Sequence, residues 1–424
     1  MGHSQELSAE TYKLTTLEVE TSHSNYNVQF DNNKDELDNQ TFLNQPTTFI
    51  PASHEQLDTL QLTRLLARYP IMDLTVLNHM AQDDNCPVRE SADYLLQNSS
   101  NLESIIFILD FDGKLTKGKN YQAQHSLILL QNQDKKFACL IGKTIGEGSR
   151  GIVKEGYDLT TGKKIAIKID REKDYGHKRA LELFHTEKGG LLFFKRFQGE
   201  CIRENRRKVY LAEDFLDGQN AEQYLHQLDG EAKLSPLETY LKTFQLMCNM
   251  MCAVKKMHEN YGVHRDLKLN NFMRLKNGDY EIIDLDSFTY GSLEYNVPQL
   301  DYLYSNIKNI APETIEEIKR NGKYVFTQAS DIYSMGKTLE RASKISILAL
   351  NRFDEPDLKE NLKNQTLEPV LSCIQQMKND APSERPSAAQ ACEQLLSALT
   401  KAKSFIHDRA LQNDFSDYSA TPLI

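Results

Sequence analysis

The chain has 424 residues, 40% hydrophobic and 26% charged, which is long enough for more than one domain with a sizeable core. Its 50 Lys and Arg against 60 Asp and Glu give a net charge of −10, which argues against general nucleic-acid binding and favours basic partners. No apolar run approaches the roughly 18 residues of a membrane span. The seven scattered cysteines lack metal-ligand spacing, so we expect a cytoplasmic protein with reduced thiols.

The first 120 residues divide into two parts. Residues 1–50 are polar and acidic, and their composition is compatible with disorder or with a short hairpin. Residues 51–120 begin with helical spacing. The sequence predicts helices that end before Pro70, begin after Asp73 and begin after Pro87. We expect a small helical module that depends on docking for its stability.

An apolar run at residues 105–109 leads into an Asp-x-Asp-Gly sequence that ends at Gly113. This pattern resembles the nucleophile motif of the haloacid-dehalogenase phosphatases, in which one aspartate attacks phosphorus and the next handles the proton. However, Lys114 stands where that family has threonine, and the rest of the chain leaves no room for its doubly wound sheet. We therefore predict a plain strand and turn, followed by a second strand near residues 127–130.

A short polar loop and the strand pattern after it carry the groups that phosphoryl transfer requires. That reaction needs a carboxylate to accept a proton, a cation to balance charge, and oxygen ligands for Mg²⁺. Asp266 supplies the carboxylate and Lys268 the cation. Asn271 and Asp284 supply the oxygen ligands. The Asn-Gly turn at residues 277–278 predicts a hairpin that brings the ends of this stretch together.

Two further patterns precede this loop. Residues 145–153 fit G-x-G-x-x-G-x-V, in which glycine allows the backbone to approach phosphates closely, and residues 164–168 form a strand pattern ending in Lys168. In this order the motifs resemble the eukaryotic-type serine/threonine protein kinase superfamily. The resemblance covers roughly residues 137–401 and is compatible with a bacterial kinase of the eukaryotic type acting in a host cell.

The resemblance implies a role for each matching residue. Asp266 would be the catalytic base, assisted by Lys268, while Lys168 would clamp the nucleotide phosphates. Asn271 and Asp284 would hold Mg²⁺ or Mn²⁺. The residues implied to contact ATP lie on the glycine-containing hairpin, the lysine strand and the hinge: Ile145, Gly146, Gly148, Gly151, Val153, Ala166, Lys168, Glu213 and Phe215.

Lys168 also needs an acidic partner from the next helix, residues 177–194. Glu182 and Glu187 are both candidates, and the E-x-x-x-L register of the family favours Glu187. The Gly189-Gly190 pair is a poor helix former, so we expect this helix to be loose or to end there.

At the hinge, a one-residue choice of register leaves Ala212 and Glu213 as alternatives for the gatekeeper position, which lies at the back of the nucleotide pocket in the family. Later motifs separate protein kinases from small-molecule kinases. An Ala-Pro-Glu sequence ends at Glu313, Asp331 opens a helix pattern, and Arg385 is expected to pair with Glu313.

The sequence departs from the kinase pattern at two positions. Asp286 replaces the glycine of the metal-binding Asp-Phe-Gly triplet, and the substrate-facing threonine is replaced by Asn306, or by Ser305 if the register shifts by one residue. These departures support an alternative in which the chain is a nucleotide-binding scaffold without turnover. A small-molecule or lipid kinase is the third alternative.

The favoured prediction is an α+β, two-lobed protein kinase fold with an N-terminal extension that contains a helical module. The predicted kinase domain covers residues 121–401, with an antiparallel sheet and one helix before residue 217 and a mainly helical lobe after it; residues 402–424 form a tail. We expect transfer of the γ-phosphoryl of Mg-ATP to Ser or Thr hydroxyls of a protein substrate, which includes the kinase itself.

Overall fold

The computed structural model describes residues 59–98, 101–118, 121–147, 151–171, 176–203, 208–230, 234–290, 293–296 and 309–412. Its N-terminal part contains four helices: α1 Thr59–Arg68, α2 Leu74–Gln82, α3 Arg89–Gln97 and α4 Leu102–Asp112. Asp73 caps α2, because its Oδ1 accepts hydrogen bonds from the backbone N–H groups of Thr75 and Val76 at 2.8 and 3.1 Å. This agrees with the helix start expected from the sequence.

The strand predicted for the apolar run before Gly113 is wrong, because that run forms α4. Ile105, Ile106 and Leu109 are buried on one side of the helix, whereas Phe107 and Phe111 are exposed. Gly113 ends α4 in the left-handed conformation, with φ 56°. The Asp-x-Asp sequence therefore lies on a helix, which is not the strand-end placement that the phosphatase motif requires.

The first half of the described chain is built on a sheet with strands β1 Lys114–Leu115, β2 Ser126–Asn132, β3 Lys135–Glu147, β4 Gly151–Asp158, β5 Lys164–Arg171, β6 Phe197–Arg203 and β7 Lys208–Asp214. These strands are antiparallel in the order β1-β2-β3-β4-β5-β7-β6. β2 also pairs with β6 through Gln131 and Glu200, so strands β2 to β7 close into a barrel. Strand β1 lies before residue 121, where the predicted kinase domain begins, and β2 lies after it. Their pairing therefore crosses the predicted domain boundary.

Strand β2 is hydrophobic at successive positions because both of its faces are buried. Ile128 and Leu130 belong to the core of the barrel. Leu127 and Leu129 belong to a second core shared with helices α1 to α4. Backbone hydrogen bonds add to this packing: the N–H of Ala138 donates to Ile71 O at 2.8 Å. The helical module is thus docked on the outer face of the sheet.

Helix α5, Gly176–Phe193, links β5 to β6 and continues through both glycines, contrary to the prediction that it loosens or ends there. The reason is a close approach of backbones. A Cβ added at Gly190 would lie 2.7 Å from the Cβ of Leu285, whereas a Cβ at Gly189 would meet nothing within 4 Å. Gly190 therefore allows α5 to pack directly on the segment that follows Asp284.

The second half of the described chain is mainly helical: α6 Ala221–Gly230, α7 Pro236–Glu259, α8 Pro312–Asn321, α9 Gln328–Asn351, α10 Pro356–Leu362, α11 Glu368–Met377 and α12 Ala388–Gln412. Helix α7 begins at a capping box formed by Ser235 and Glu238. Helix α12 continues beyond the predicted boundary at residue 401, because Leu399 and Ala402 are still buried against the core.

Short strands connect these helices: β8 Gly218–Asn220, β9 Gly262–Val263, β10 Phe272–Leu275, β11 Tyr280–Ile282, β12 Thr289–Tyr290, β13 Leu293–Asn296 and β14 Lys323–Phe326. They pair as β11-β10-β8, β12-β9 and β13-β14. No helix in the described part of the chain is long and apolar enough to cross a membrane.

The two adjacent glycines of α5 provide a matched pair of substitutions. We expect Gly190→Ala to lower the free energy of unfolding by about 1–3 kcal/mol, because its methyl group is forced against Leu285. Gly189→Ala should raise it by about 0.5–1 kcal/mol, since alanine is the better helix former and has open space. Urea unfolding of both variants measures the difference, and equal effects would contradict the close packing of α5.

Candidate active site

The polar loop lies between β9 and β10, and α7 leads into it. As expected from the Asn-Gly turn, β10 and β11 form a hairpin, with Gly278 in a left-handed conformation at φ 92°. Ile283 N donates to Asn271 O at 2.9 Å, which ties the end of the loop to the residue before Asp284. The β10–β11 hairpin therefore brings the loop that carries Asp266 and Asn271 next to the strand end that carries Asp284.

Asp331, at the start of α9, holds the backbone of this loop. Its carboxylate is completely buried and accepts 2.8 Å hydrogen bonds from the N–H groups of His264 and Arg265. His258 Nε2 lies 3.2 Å from the same carboxylate. Arg265 has a positive φ of 73°, which costs energy for a non-glycine residue. The buried charged hydrogen bonds of Asp331 offset that cost.

His264 orients the next residue of the loop. Its Nε2 lies 3.1 Å from Ile283 O, and its Nδ1 accepts a hydrogen bond from the N–H of Asp266 at 3.3 Å. With Nδ1 as the acceptor, the ring proton lies on Nε2, which donates to the carbonyl. The ring thus links the loop to the strand end before Asp284.

The carboxylate of Asp266 is contacted by the two predicted loop residues. Lys268 Nζ donates to Asp266 Oδ2 at 2.6 Å. The Nδ2 of Asn271 donates to the carbonyl of Asp266 at 2.8 Å and to Oδ2 at 3.3 Å. The Asp266 side chain is 14% exposed, so its carboxylate is accessible while two donors fix its orientation.

Lys168 lies among three carboxylates. It donates to both oxygens of Glu187, at 2.7 and 2.8 Å, and its Nζ lies 3.5 Å from Asp284 and 4.0 Å from Asp286. The structure therefore selects Glu187, and not Glu182, as the helix partner of Lys168. Burial raises the pKa of the Glu187 carboxyl to about 7, although the lysine ammonium opposes this rise.

Asp284 has a left-handed backbone, with φ 60° and ψ 63°. This conformation directs the chain into a short 3₁₀ turn of residues 285–287, in which Leu285 is buried beneath α5. Asp286, the departure from the kinase pattern, is also buried, and its Oδ1 accepts a hydrogen bond from Ser287 Oγ at 3.1 Å. The substitution adds a third carboxylate to the surroundings of Lys168.

The pairing of β4, β5 and β7 determines which side chains share the face of Lys168. Lys168 lies opposite Val153 on one side and Leu211 on the other. Ala166, two residues earlier on β5 and hence on the same face, lies opposite Glu213. Ala212, by contrast, packs in the core of the barrel. Of the two alternatives that the sequence leaves open, Glu213 shares the face of Lys168 and Ala212 does not.

The glycine-containing hairpin is formed by β3 and β4. Gly146 pairs with Val153, and Ile145 precedes it on β3 with a largely exposed side chain. A Cβ at Gly151 would lie 2.3 Å from the carbonyl oxygen of Ile169, so only glycine fits this approach of β4 to β5. Gly148 lies outside the described residues.

The hinge after β7 contains Phe215. Lys164 Nζ lies 3.9 Å from the centre of its ring, a cation–π contact, and also lies 2.6 Å from Glu155. The lysine strand thus contacts the hinge directly.

Arg196 was not singled out from the sequence, because an arginine next to Lys195 among phenylalanines matches no functional motif. Its guanidinium is 5% exposed and lies 3.8 Å from Glu213 and 3.7 Å from Glu281 on β11. None of its three nitrogens has a hydrogen-bond partner among the described residues. Burial raises the pKa of the Glu213 carboxyl, and Arg196 opposes that rise. Arg196 thus links Glu213 on β7 to Glu281 on β11.

The late motifs form a second buried ion pair. Arg385 donates two 2.7 Å hydrogen bonds to the carboxylate of Glu313, with one bond to each oxygen. The arginine side chain is completely buried, so the pair fixes the start of α8 against the chain before α12. Asn306 lies outside the described residues, as does most of the segment between Asp286 and Ala311.

The arrangement agrees with a comparison against protein families. The family described as "Protein kinase domain" matches residues 140–397. The chain belongs to this family. The resemblance stated from the catalytic-loop, lysine-strand and Ala-Pro-Glu motifs is thereby confirmed, together with the mixed helix and strand content expected of the domain.

Curated proteins similar to this kinase-family chain are described as serine/threonine kinases. "Probable serine/threonine-protein kinase MARK-B" of Dictyostelium discoideum is 29% identical over 207 residues, covering 47% of this chain and 26% of the relative. "CBL-interacting serine/threonine-protein kinase 9" of Arabidopsis thaliana is 28% identical over 222 residues, covering 51% and 46%. The chain therefore spans less than half the length of either relative.

Arg196 provides a test of the charge bridge behind the site. We expect Arg196→Met to lower the free energy of unfolding by about 3 kcal/mol, because Glu213, whose side chain is only 24% exposed, loses the charge of Arg196. The double variant Arg196→Met/Glu213→Met should recover most of that loss, since it removes the carboxylate as well. Urea unfolding of the single and double variants measures the coupling, and strictly additive losses would contradict a direct charge interaction.

Proposed function

We propose that this chain is a serine/threonine protein kinase that transfers the γ-phosphoryl group of Mg-ATP to a protein substrate and to itself. The observation that carries the proposal is the grouping of Asp266, Lys268 and Asn271 in one loop, with Lys168, Glu187 and Asp284 in a second ion-pair network joined to it. Family membership and the similarity to serine/threonine kinases support the assignment.

In this proposal Asp266 accepts the proton of the acceptor hydroxyl. Its Oδ2 already receives hydrogen bonds from Lys268 and Asn271, which fix the orientation of the carboxylate. Lys268 Nζ is the cation next to the position where negative charge develops on the transferred group. The identity of residue 268 as lysine, two residues after the base, also favours Ser and Thr acceptors by resemblance to the family.

The residues present fit a magnesium nucleotide. Asp284 offers a partly exposed carboxylate, and Asn271 directs its Nδ2 to Asp266, so its Oδ1 is the amide atom suited to a hard cation. A bound Mg²⁺ supplies charge neutralisation between phosphate oxygens. Lys168 would contact the α- and β-phosphates of a bound nucleotide, and Val153 and Ala166, which lie on the same face of the sheet as Lys168, would contact its base.

The second candidate is a nucleotide-binding scaffold without turnover. Asp286 favours it, because an additional buried carboxylate lies 4.0 Å from the lysine that must hold phosphate. Against it stands the geometry of Asp266, Lys268 and Asn271, which serves proton abstraction and has no evident purpose in a scaffold.

The base assignment is tested with Asp266→Asn. We expect phosphoryl transfer to Ser and Thr peptides, and to the protein itself, to fall by about 10²–10⁴-fold, because the amide cannot accept the proton. ATP binding should be retained. Phosphopeptide mass spectrometry measures transfer, and isothermal titration with ATP and Mg²⁺ measures binding.

The exposed carboxylate of Asp134 provides the control, and Asp134→Asn should leave transfer unchanged. If the natural sequence binds ATP and phosphorylates neither itself nor any peptide, the scaffold is the better assignment. If only tyrosine peptides are modified, the Ser/Thr assignment is wrong.

The lysine clamp is tested with a pair of helix variants. We expect Glu187→Gln to lower kcat/KM by about 10–100-fold, since a hydrogen bond to a charged partner contributes about 1.5–3 kcal/mol. Glu182→Gln, which changes an exposed carboxylate of the same helix, should have little effect. Steady-state kinetics with a Ser peptide measures both, and equal losses would contradict the pairing.

A further inference from the structure

Helices α7 and α12 bring together two cysteines that are not part of the candidate active site. Cys252 on α7 and Cys392 on α12 are 140 residues apart in the chain, and their Sγ atoms lie 2.8 Å from each other. The contact arises because α12 packs on α7 with small residues, among them Ala391 and Ala398, which allow the two helices to approach closely.

The two thiols differ in access. Cys392 is buried, whereas Cys252 is half-buried and can be reached from solvent. The neighbouring Cys392 thiol lowers the pKa of the Cys252 thiol, and the positive charges of Lys255 and Lys256 add to the effect. The contact between the two thiols and burial raise the pKa of Cys392. Cys252 is therefore the nucleophile and Cys392 the resolving thiol.

We propose that Cys252 and Cys392 form a peroxide-reactive dithiol site that closes to a disulfide joining α7 to α12. A disulfide requires its sulfurs to be about 2.05 Å apart, so the pair must close by less than 1 Å from its 2.8 Å contact. The site is independent of phosphoryl transfer and contains none of the residues assigned to it.

The oxidant is hydrogen peroxide or an organic hydroperoxide. The Cys252 thiolate attacks a peroxide oxygen, so that an S–O bond forms, the O–O bond breaks, and water or an alcohol leaves after protonation. Cys392 then attacks the Cys252 sulfur of the sulfenic acid. The S–S bond forms, the S–O bond breaks, and the Cys392 proton leaves with the hydroxyl group as water. Each sulfur loses one electron, and the peroxide gains two.

Formation of the Cys252–Cys392 disulfide would change the stability of the fold. Helix α7 leads through β9 into the loop that holds Asp266, and α12 follows the segment anchored by Arg385. A bond between Cys252 and Cys392 closes a loop that contains the catalytic half of the chain, which restricts the unfolded state and stabilises the folded one.

The experiment compares the reduced full chain before and after treatment with hydrogen peroxide. We expect the oxidised protein to lose the mass of two hydrogen atoms and to yield a linked Cys252–Cys392 peptide in a non-reducing digest. Its thermal midpoint should rise by several degrees and return after dithiothreitol. Cys392→Ser should stop at a sulfenic acid on Cys252 that dimedone labels.

Cys86→Ser is the matched control, because Cys86 is also half-buried but lies between α2 and α3, and this variant should still form the linkage. The proposal fails if peroxide leaves Cys252 and Cys392 open to alkylation, or if the linked peptide joins other cysteines. Peptide mapping of the natural sequence decides this even if a serine variant does not fold.

Discussion

The arrangement of the site depends on one buried carboxylate. Asp331 accepts hydrogen bonds from the backbone N–H groups of His264 and Arg265 and thereby sustains the positive φ of Arg265. Without a charged acceptor at this point, two buried N–H groups would lose their partner, which costs about 1–3 kcal/mol each. The direction of the following residue, Asp266, is set by this contact, so α9 positions the proposed base without touching it.

A second constraint joins α5 to the strand end at Asp284. Gly190 allows α5 to rest on Leu285, and from the same helix Glu187 reaches Lys168. A movement of α5 would therefore disturb the packing under Leu285 and the ion pair at the same time.

Helices α1 to α4 and strand β2 add to the part of the molecule that is built on the seven-stranded sheet. β2 pairs with β3 and also reaches β6, so the sheet closes and its interior becomes an apolar core. The helices cover the opposite face of the same strands, which explains why β2 and the first part of β3 carry buried side chains on both faces. Arg196 lies on the far side of this sheet half, where its charge bridges Glu213 and Glu281.

The sequence by itself indicated the kinase family through its resemblance to the family's motifs, and it singled out Asp266, Lys268, Asn271, Asp284 and Lys168, which the structure brings into contact with one another. It also located α2, whose cap is a local interaction. Tertiary structure decided the rest. The apolar run before Gly113 became helix α4, and α5 continued through two glycines, because burial and close packing outweigh local propensity. Strand pairing placed Glu213 on the cleft face, and Arg196 and the Cys252–Cys392 contact arose only from segments distant in sequence.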